Sequence, residues 1–469
     1  MLRAHGFAAV AGAAAALVAV LNYWGFTVDD ALISARVAHH LNIGVGYRFN
    51  ATGAVVDAVT PLGWAPLLAL FATSPLAALH AGRVLGALCL IGVGATLGLH
   101  LAHQGKSLWR FSPLLVLALC APLGAWSVAG METGLIIALC TVAVLETPVA
   151  PIAMFVAVFA RPELLPWAIT LRLGFALVAR VHPARVLGHA ALPAVAVVVA
   201  ASLRFWIFGH AAPLAMLAKP ADWGDGMRYL LGSLLLSGPP WLLLGRYAPL
   251  APRLRVLAVA GAVHFLAIGL AGGDWMPFFR LVSPVLPGLL LVAAALAEHA
   301  ACWVNLLRLG VAALVCVAAL VTHAPTARGV MGQRIELIEA LARGVQPQDR
   351  VVALDVGWIG AASSAAITDL SGVTDPVMAR LPGGHTSKRL GNDFLARQLD
   401  GPGRTVLVLL TAADEQHREP WYDVQFDRVV EQRIARQAAA LGVAGQAVQW
   451  FPLRGTGKHY IAVYLRPVR

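Results

Sequence analysis

Apolar stretches of about 20 residues recur along the first 324 residues, and polar residues concentrate in the short segments between them. A helix of that length crosses the roughly 30 Å hydrocarbon core of a bilayer. We count about eleven such stretches. Residues 7–24 form the first, and because no small-residue cleavage site follows them, we expect a retained span rather than a signal peptide. The pattern predicts a polytopic α-helical membrane protein.

Residues 61–79 fit this pattern less well than the other apolar stretches. Their first part, Pro61-Leu62-Gly63-Trp64-Ala65-Pro66, could open either a short spanning helix or a helix lying along the membrane surface. We prefer the surface position, because it leaves residues 82–103 to run inward and residues 111–127 to run outward.

After residue 324 the pattern changes to short alternating runs that predict strands and helices. The predicted strands are Val351–Val356, Thr405–Leu410 and Tyr460–Leu465, and the predicted helices are Arg334–Arg343 and Gln425–Leu441. This part also carries 14 of the 24 acidic residues. We therefore predict a membrane domain over residues 1–324 and a separate α/β domain over residues 325–469.

Composition and charge support this reading and add an orientation. Hydrophobic residues make up 59% of the 469 residues and charged residues only 13%, against about 25% in soluble domains. The net charge of +11 is concentrated in clusters between apolar stretches. These clusters are Lys106/Arg110, Arg172/Arg180/Arg185 and Arg246/Arg253/Arg255. By the positive-inside rule they lie in the cytoplasm, so the charge reports topology and predicts no nucleic-acid partner.

This orientation puts the N-terminus in the cytoplasm and the C-terminal domain on the extracytoplasmic side. Residues 26–60, 209–225 and 272–280 fall on that outer side as well. No Gly-rich nucleotide-binding loop is visible, which argues against a nucleotide-driven pump. The histidines and cysteines show no metal-ligand spacing, so we predict no metal site and no cofactor, although a divalent metal is compatible with the chemistry below.

The adjacent acids Asp29 and Asp30 follow the first apolar stretch directly and are the strongest functional signal in the chain. A carboxylate pair costs several kcal/mol in hydrocarbon, so it should face water or a polar cavity. Only ten acidic residues occur before residue 325, and at least seven of them fall on the predicted outer side. Carboxylates that accept a proton, together with cations that bind phosphate, suit transfer of a group from a lipid phosphate.

Each candidate residue also has a structural explanation. Asp29 or Asp30 could cap a helix beginning near Ala31, although one cap explains only one of them; Asp30 is our first choice as the general base. Arg36 could form a structural pair with Glu132 or bind phosphate. Glu132 could equally be an acid at a helix start, stabilised by the helix dipole.

Further candidates lie in later outer segments. Asp274 and Trp275 occupy a Gly-Gly turn, where Trp275 could stack on a sugar or anchor the membrane interface. Lys219 and Arg280 are at the depth of a lipid phosphate, or simply extend their charges to the interface. We predict substrate binding by these residues and by Arg36, Asp57 and Glu132.

The order of several short motifs resembles one family, the actinobacterial terminal β-(1→2)-arabinofuranosyltransferases. The stretch Thr27–Arg36 is similar to the start of that family's first outer loop, and the resemblance continues over most of the chain. The matching segments that follow are Gly44–Asn50, Val56–Leu62, Gly130–Thr133, Arg161–Glu163, Pro213–Lys219, Gly272–Met276 and Asp369–Asp375.

The resemblance implies a GT-C fold in a bacterial inner membrane, a polyprenyl-phosphate sugar donor, a glycan or glycoprotein acceptor and an outer-loop aspartate as catalytic base. This chain departs from the family at three places. Leu32 replaces an aromatic residue, Asp57 replaces Glu, and the Pro213–Lys219 segment lacks the usual Asn-Thr-Tyr-Tyr. The sugar could therefore differ from arabinofuranose.

Two classes without catalysis stay open at this point. A transporter would show internal repeats and charges near mid-membrane, whereas the acids here collect at one face. A lipid-glycan flippase or accessory protein would need no general base.

Overall fold

The computed structural model describes residues 2–103, 107–219, 222–400, 403–412, 426–443, 447–454 and 456–465. Lys106 and Gln425 lie outside these ranges. The α-helices are α1 (Leu2–Asn22), α2 (Asp29–Asn42), α3 (Trp64–Ala69), α4 (Pro75–His103), α5 (Ser112–Leu119), α6 (Ala121–Val128), α7 (Thr133–Val144), α8 (Ala150–Ala160), α9 (Leu165–Val178), α10 (Pro183–Phe208), α11 (Leu214–Ala218), α12 (Trp223–Leu236), α13 (Pro252–Leu270), α14 (Leu286–Glu298), α15 (Cys302–Thr322), α16 (Ala324–Gly344), α17 (Val356–Ala362), α18 (Pro376–Ala379), α19 (Phe394–Leu399) and α20 (Val429–Ala440). Short 3₁₀ helices cover Leu108–Phe111, Pro162–Leu164, Pro239–Leu243 and Pro277–Val285.

The helical part is that of a multi-pass membrane protein. Within the described ranges, six helices are long and apolar enough to cross a membrane, or seven if the bent pair α5 and α6 is one span. The expected number of about eleven spans is not confirmed. Several apolar stretches form shorter helices instead, such as α7 with 12 residues and α8 with 11. A helix of that length rises less than about 20 Å, which is short of the hydrocarbon thickness.

The ambiguous segment 61–79 contains only the six-residue helix α3 before α4 begins at Pro75. A six-residue helix rises about 9 Å and cannot cross a bilayer. This length supports the alternative in which the segment stays on one side.

The chain forms two compact units, and their boundaries cut across the predicted domains. Unit 1 comprises residues 1–27, 80–203 and 221–329, and unit 2 comprises residues 28–79, 204–220 and 330–469. In unit 1 the helices α1 and α4 pack backbone to backbone, since a Cβ on Gly12 would lie 1.9 Å from the Gly94 carbonyl oxygen. Small residues permit such close approach between membrane helices.

Unit 2 contains a five-stranded mixed sheet in the order β2-β1-β3-β5-β4. Its strands are β1 (Arg350–Ala353), β2 (Ala366–Asp369), β3 (Thr405–Thr411), β4 (Ala447–Leu453) and β5 (Lys458–Leu465). The strands β1, β2 and β3 are parallel, and β5 pairs antiparallel with β3 and β4. Apolar residues of the sheet, such as Leu407 and Val463, pack with Ile434 of α20 into one buried core. This arrangement confirms the predicted C-terminal α/β fold.

Two details of the strand and helix predictions were wrong. The strand expected over Val351–Val356 ends at Ala353, because Val356 begins α17. The prediction also missed β2 and β4. The first has only four residues, and the second contains Pro452, which lacks an N–H donor and fits an edge strand, where β4 lies.

Candidate functional site

Asp29 and Asp30 form the first turn of α2, and Val28 occupies its N-cap position. The pair therefore does not cap a helix beginning near Ala31, which was one of the two expectations. Instead, both oxygens of the Asp29 carboxylate accept backbone N–H bonds from the start of α17. Gly357 N donates to Oδ2 and Trp358 N to Oδ1, each at 2.9 Å. Asp29 thus caps a helix that lies 328 residues further along the chain.

The close packing of α2 on α17 depends on a glycine. A Cβ at Gly357 would lie 2.1 Å from the Asp29 carbonyl oxygen, so a side chain there would push the two helices apart. Burial raises the pKa of the Asp29 carboxyl well above its ordinary value, and the nearby Asp355 carboxylate raises it further. The two backbone N–H groups oppose this shift. The Asp29 carboxylate thus joins α2 to α17.

Arg36 lies seven residues after Asp29, about two helical turns along the same face of α2. Its guanidinium is buried and donates to the carbonyls of Gly360 and Ser363 at 2.8 Å and of Ala365 at 3.1 Å. Its Nε donates to Phe49 O at 2.7 Å. Burial lowers the pKa of Arg36 to about 10.

The hydrogen bonds of Arg36 differ from both partners that the sequence suggested. The expected partners were Glu132 or a phosphate, whereas the observed ones are backbone carbonyls. Asp29 contacts the N-terminal end of α17 and Arg36 the carbonyls at its C-terminal end. Each charge opposes the sign of the helix dipole at its end. Helix α2 thus binds both ends of α17.

Asp30, next in the chain, is rotated by about 100° around α2 relative to Asp29. The residue is half-buried. Its backbone carbonyl accepts a hydrogen bond from Ser34 Oγ at 3.2 Å. Of the two acids, Asp29 has both oxygens bonded to α17, which leaves Asp30 as the better candidate for chemistry.

A second buried charge pair in unit 2 joins Asp57 to Arg204. Arg204 Nε donates to Asp57 Oδ2 at 3.0 Å, and Arg204 Nη2 donates to the Thr60 carbonyl. Both side chains are almost fully buried. Sequence reasoning named Asp57 but missed its partner, although an isolated arginine in the apolar stretch 186–208 should be paired.

Lys219, also in unit 2, is half-buried and occupies the C-cap position of α11 in an extended conformation. The preceding helix packs against α18. The motif Asp369–Asp375 near α18 is a self-contained turn. The buried Asp369 carboxylate accepts hydrogen bonds from the backbone and hydroxyl groups of Ser371 and Thr374.

Unit 2 also holds an arginine that the sequence did not single out. The Arg334 guanidinium lies 5.0 Å from the ring centres of both Trp358 and Tyr460. Tyr460 and Arg428 donate hydrogen bonds to Asp355, the residue before α17. In the sequence, the aromatic residues Trp358 and Tyr460 are the only signal that could have indicated this cluster.

In unit 1, Glu132 occupies the N-cap position of α7, as the helix-start explanation expected, but its side chain makes no capping bond. Arg161 Nη1 donates to Glu132 Oε1 at 2.8 Å, and Arg161 Nε lies 2.6 Å from Glu163 Oε1. Glu132 is 1% exposed, and its second oxygen, Oε2, has no hydrogen-bond partner among the described residues. Arg161 thus joins the two glutamates in a triad.

The Gly-Gly turn of unit 1 carries a second ion pair. Arg280 Nη2 lies 2.8 Å from Asp274 Oδ2, and the guanidinium also stacks 5.4 Å from the ring of Trp126. Both side chains of the pair are nearly buried. Trp275 is 60% exposed, as a sugar-stacking or interfacial residue would be.

The backbone just before Arg280 is strained. Phe278 and Phe279 have φ values of 59° and 51°, a left-handed conformation that costs about 1–3 kcal/mol per non-glycine residue. Trp126 Nε1 donates to the carbonyls of Pro277 and Phe278 and holds this turn in place. Strain of this kind often occurs at functional sites, and no sequence pattern signalled it.

No three His, Cys, Asp or Glu side chains within the described part of the chain lie close enough together to hold a metal ion. The acids found so far pair with arginines or with backbone N–H groups. Arginine and lysine side chains are groups that could neutralise a phosphate.

Comparison with known proteins gives two findings. Residues 326–460 match the model of a family described as a domain of unknown function, DUF8728. Among solved structures, the chain is similar to ArnT from Cupriavidus metallidurans, whose crystal structure is bound to undecaprenyl phosphate. The TM-score is 0.58 at 13% identity, and the alignment covers 98% of each chain. No curated protein matches the sequence.

The chain has a GT-C-like fold. This finding confirms the predicted fold class, a helical membrane part followed by a C-terminal α/β part. At 13% identity the likeness concerns the fold and carries no arabinofuranose specificity.

Proposed function

We propose that the protein is a membrane glycosyltransferase that uses a polyprenyl-phosphate sugar as donor. The observation that carries this proposal is the full-length likeness to ArnT, a protein bound to undecaprenyl phosphate. The acidic pair directly after the first span supports it, because sugar transfer to a hydroxyl needs a general base.

In this proposal Asp30 is the base. It removes the proton of the acceptor hydroxyl while the acceptor oxygen attacks the anomeric carbon. The bond from that carbon to the phosphate oxygen breaks, and the polyprenyl phosphate leaves with the electron pair. A single displacement of this kind inverts the anomeric centre. Asp29 supports Asp30 by fixing the first turn of α2 on α17.

Glu132, Trp275, Arg280 and Lys219 would bind the substrate. Glu132 has a buried oxygen without a hydrogen-bond partner among the residues that the structure describes, and this oxygen suits a sugar hydroxyl. The exposed Trp275 ring suits stacking on a sugar. Arg280 and Lys219 are candidates for the donor phosphate, each contact being worth roughly 1.5–3 kcal/mol. Their cations make a metal optional in this mechanism.

Two earlier candidates fit substrate binding less well. The Arg36 donors are engaged by four carbonyls, and Asp57 is paired with the buried Arg204. Both residues now fit a structural role, with Arg36 supporting α2 and Asp57 supporting the loop before α3.

For the donor sugar our best single proposal is arabinofuranose, which rests on the family resemblance and not on the fold. The acceptor would be a cell-envelope glycan or glycoprotein, reached from the extracytoplasmic side of a bacterial inner membrane. Nucleotide sugars are not normally available on that side, so a lipid-linked donor is the consistent choice.

The test uses purified protein in detergent with two donors, a polyprenyl-phosphate pentose and the matching nucleotide pentose. We expect transfer from the first and none from the second. Activity with the nucleotide sugar alone would overturn the proposal. A hexose polyprenyl phosphate is the third donor. Transfer from the hexose donor but not from the pentose donor would keep the lipid-linked donor class and overturn the choice of sugar.

A further inference from the structure

Arginine is rarely buried, and five arginines of the described chain are less than about 10% exposed. Four of them have hydrogen-bond acceptors. Arg36 donates to backbone carbonyls, Arg161 to two glutamates, and Arg204 to Asp57. Arg83 donates to Val128 O at 3.1 Å and stacks on Trp24. The fifth, Arg308, has none of these partners.

Arg308 is 8% exposed, and its Nε and Nη1 atoms are buried without a hydrogen-bond partner among the described residues. A buried charge without acceptors costs several kcal/mol, so an acceptor from outside the chain is expected there. The guanidinium carries five N–H donors in a planar fork, a geometry that matches a phosphate or carboxylate.

The position of Arg308 separates it from Arg280, a candidate for the donor phosphate. It lies in α15, 15 residues before His323, which corresponds to roughly 22 Å along the helix. The His323 ring contacts the ring of Phe278, close to Arg280 in the chain. Arg308 is therefore near the opposite end of α15 from the Asp274–Arg280 pair.

The surroundings of Arg308 favour an anion. A Cβ at Gly245 would lie 2.2 Å from Arg308 Nη2, so the guanidinium is packed under the glycine of a loop. The same loop presents the exposed Arg246, and Arg253 and Arg255 follow in the first turn of α13. By the positive-inside rule this basic loop lies on the cytoplasmic side of the membrane.

Acidic residues near this end of unit 1 already have partners. Glu146 Oε2 lies 2.7 Å from Arg253 Nη1. The Glu298 Oε2 atom accepts a hydrogen bond from Ser107 N at 3.2 Å. Neither of these bonds involves Arg308.

We propose that Arg308 binds the phosphate of an anionic lipid headgroup in the cytoplasmic leaflet, under the loop that contains Gly245. Arg308 is six residues into α15, or about 9 Å along the helix, and a long side chain at that depth reaches the headgroup region. The site is distinct from the donor site of the proposed function and does not depend on it.

The test measures lipid retention. Protein purified in mild detergent is incubated with phosphatidylglycerol or phosphatidylcholine, and the bound lipid is counted by native mass spectrometry. We expect wild-type protein to retain phosphatidylglycerol selectively. Arg308→Gln should lower that retention about 10-fold or more, the loss expected for one charge-assisted contact. The matched control is Arg246→Gln, which removes an exposed arginine of the same loop. This variant should lower phosphatidylglycerol retention much less.

Three further arms make the outcome decisive. Inorganic phosphate that displaces phosphatidylglycerol at equal concentration would show a site for the free anion and overturn the lipid assignment. Equal retention by wild-type protein and Arg308→Gln would overturn the site itself. If Arg308→Gln does not fold, Arg308→Lys is the second variant, because it keeps the charge but lacks the planar guanidinium. We expect Arg308→Lys to retain phosphatidylglycerol at a level between wild-type protein and no retention. Retention equal to wild type would overturn the role of the guanidinium geometry.

Discussion

Helix α2 and the loops of unit 1 use their buried charges in different ways. In α2, Asp29 and Arg36 bond to backbone groups of α17 and Arg36 also to Phe49 O. In unit 1, Glu132 pairs with Arg161, and Asp274 pairs with Arg280. The first arrangement engages both oxygens of the acid, whereas in the second Glu132 Oε2 has no hydrogen-bond partner within the described part of the chain.

This difference distinguishes charged residues that stabilise the fold from charged residues that can bind a substrate. A charge bonded to backbone carbonyls or N–H groups holds two elements together, and a substrate cannot replace those partners without breaking the fold. A carboxylate paired with one arginine keeps a second oxygen that can accept a hydrogen bond from a ligand. Substitutions in α2, with Asp30 as the exception, should therefore change stability, and those in unit 1 should change substrate binding.

The strongest test of this comparison is Arg36→Met. The substitution leaves four carbonyl groups without their donor, and each unsatisfied buried group costs about 1–3 kcal/mol. We expect a loss of at least about 3 kcal/mol in the free energy of unfolding. Thermal unfolding in detergent measures it.

The control is Arg228→Met, which removes an exposed pair with Asp225 and should cost no more than about 1 kcal/mol. A stable Arg36→Met protein that has lost donor affinity would show instead that Arg36 binds the phosphate.

The second test addresses the exception in α2. Asp30→Asn keeps the size of the side chain and removes the base, so transfer should fall about 10²-fold or more, equivalent to roughly 2.7 kcal/mol in the barrier. Initial rates with the polyprenyl-phosphate donor measure the effect, and unchanged expression and unfolding temperature exclude a folding defect. Normal transfer by this variant removes Asp30 from catalysis.

The third test probes unit 1. Glu132→Gln keeps an oxygen for Arg161 but removes the charge that would accept a sugar hydroxyl, and the loss of a charged hydrogen bond is worth roughly 1.5–3 kcal/mol. We expect an increase in KM or a decrease in kcat of about 10-fold or more.

Glu163→Gln is the matched control, because Glu163 pairs with the same arginine and is more exposed. Similar kinetics of the two variants would mean that the triad of Glu132, Arg161 and Glu163 is structural only.

The sequence predicted the elements of the fold better than the partners of its charges. Length and polarity identify membrane spans because hydrocarbon imposes a minimum apolar length, and the change in pattern after residue 324 located the sheet. Apolar length does not reveal where a stretch is divided into short helices such as α7 and α8, and the expected number of about eleven spans therefore stays a prediction.

The roles of the site residues depended on contacts between distant parts of the chain. The N–H groups that Asp29 binds lie 328 and 329 residues away, and the Asp57–Arg204 pair joins residues 147 apart. A motif shows that a charged residue is unusual at its position. It does not show whether the partner is a substrate or a backbone group, which is why Asp29 was a candidate for the base and Arg36 a candidate for phosphate binding.

The smallest expected effect belongs to Asp29→Asn, which compares the two acids directly. The Asn side chain keeps one acceptor oxygen for α17 and loses the other, so it resembles the loss of a helix cap, about 1 kcal/mol of stability. Transfer should fall less than about 10-fold, because the base itself is intact. Unfolding temperature and initial rate, measured beside Asp30→Asn, give opposite rankings if the two acids have these separate roles. A stable Asp29→Asn protein with a 10²-fold loss of transfer would make Asp29 the base, with its pKa raised by burial and by the neighbouring Asp355 carboxylate.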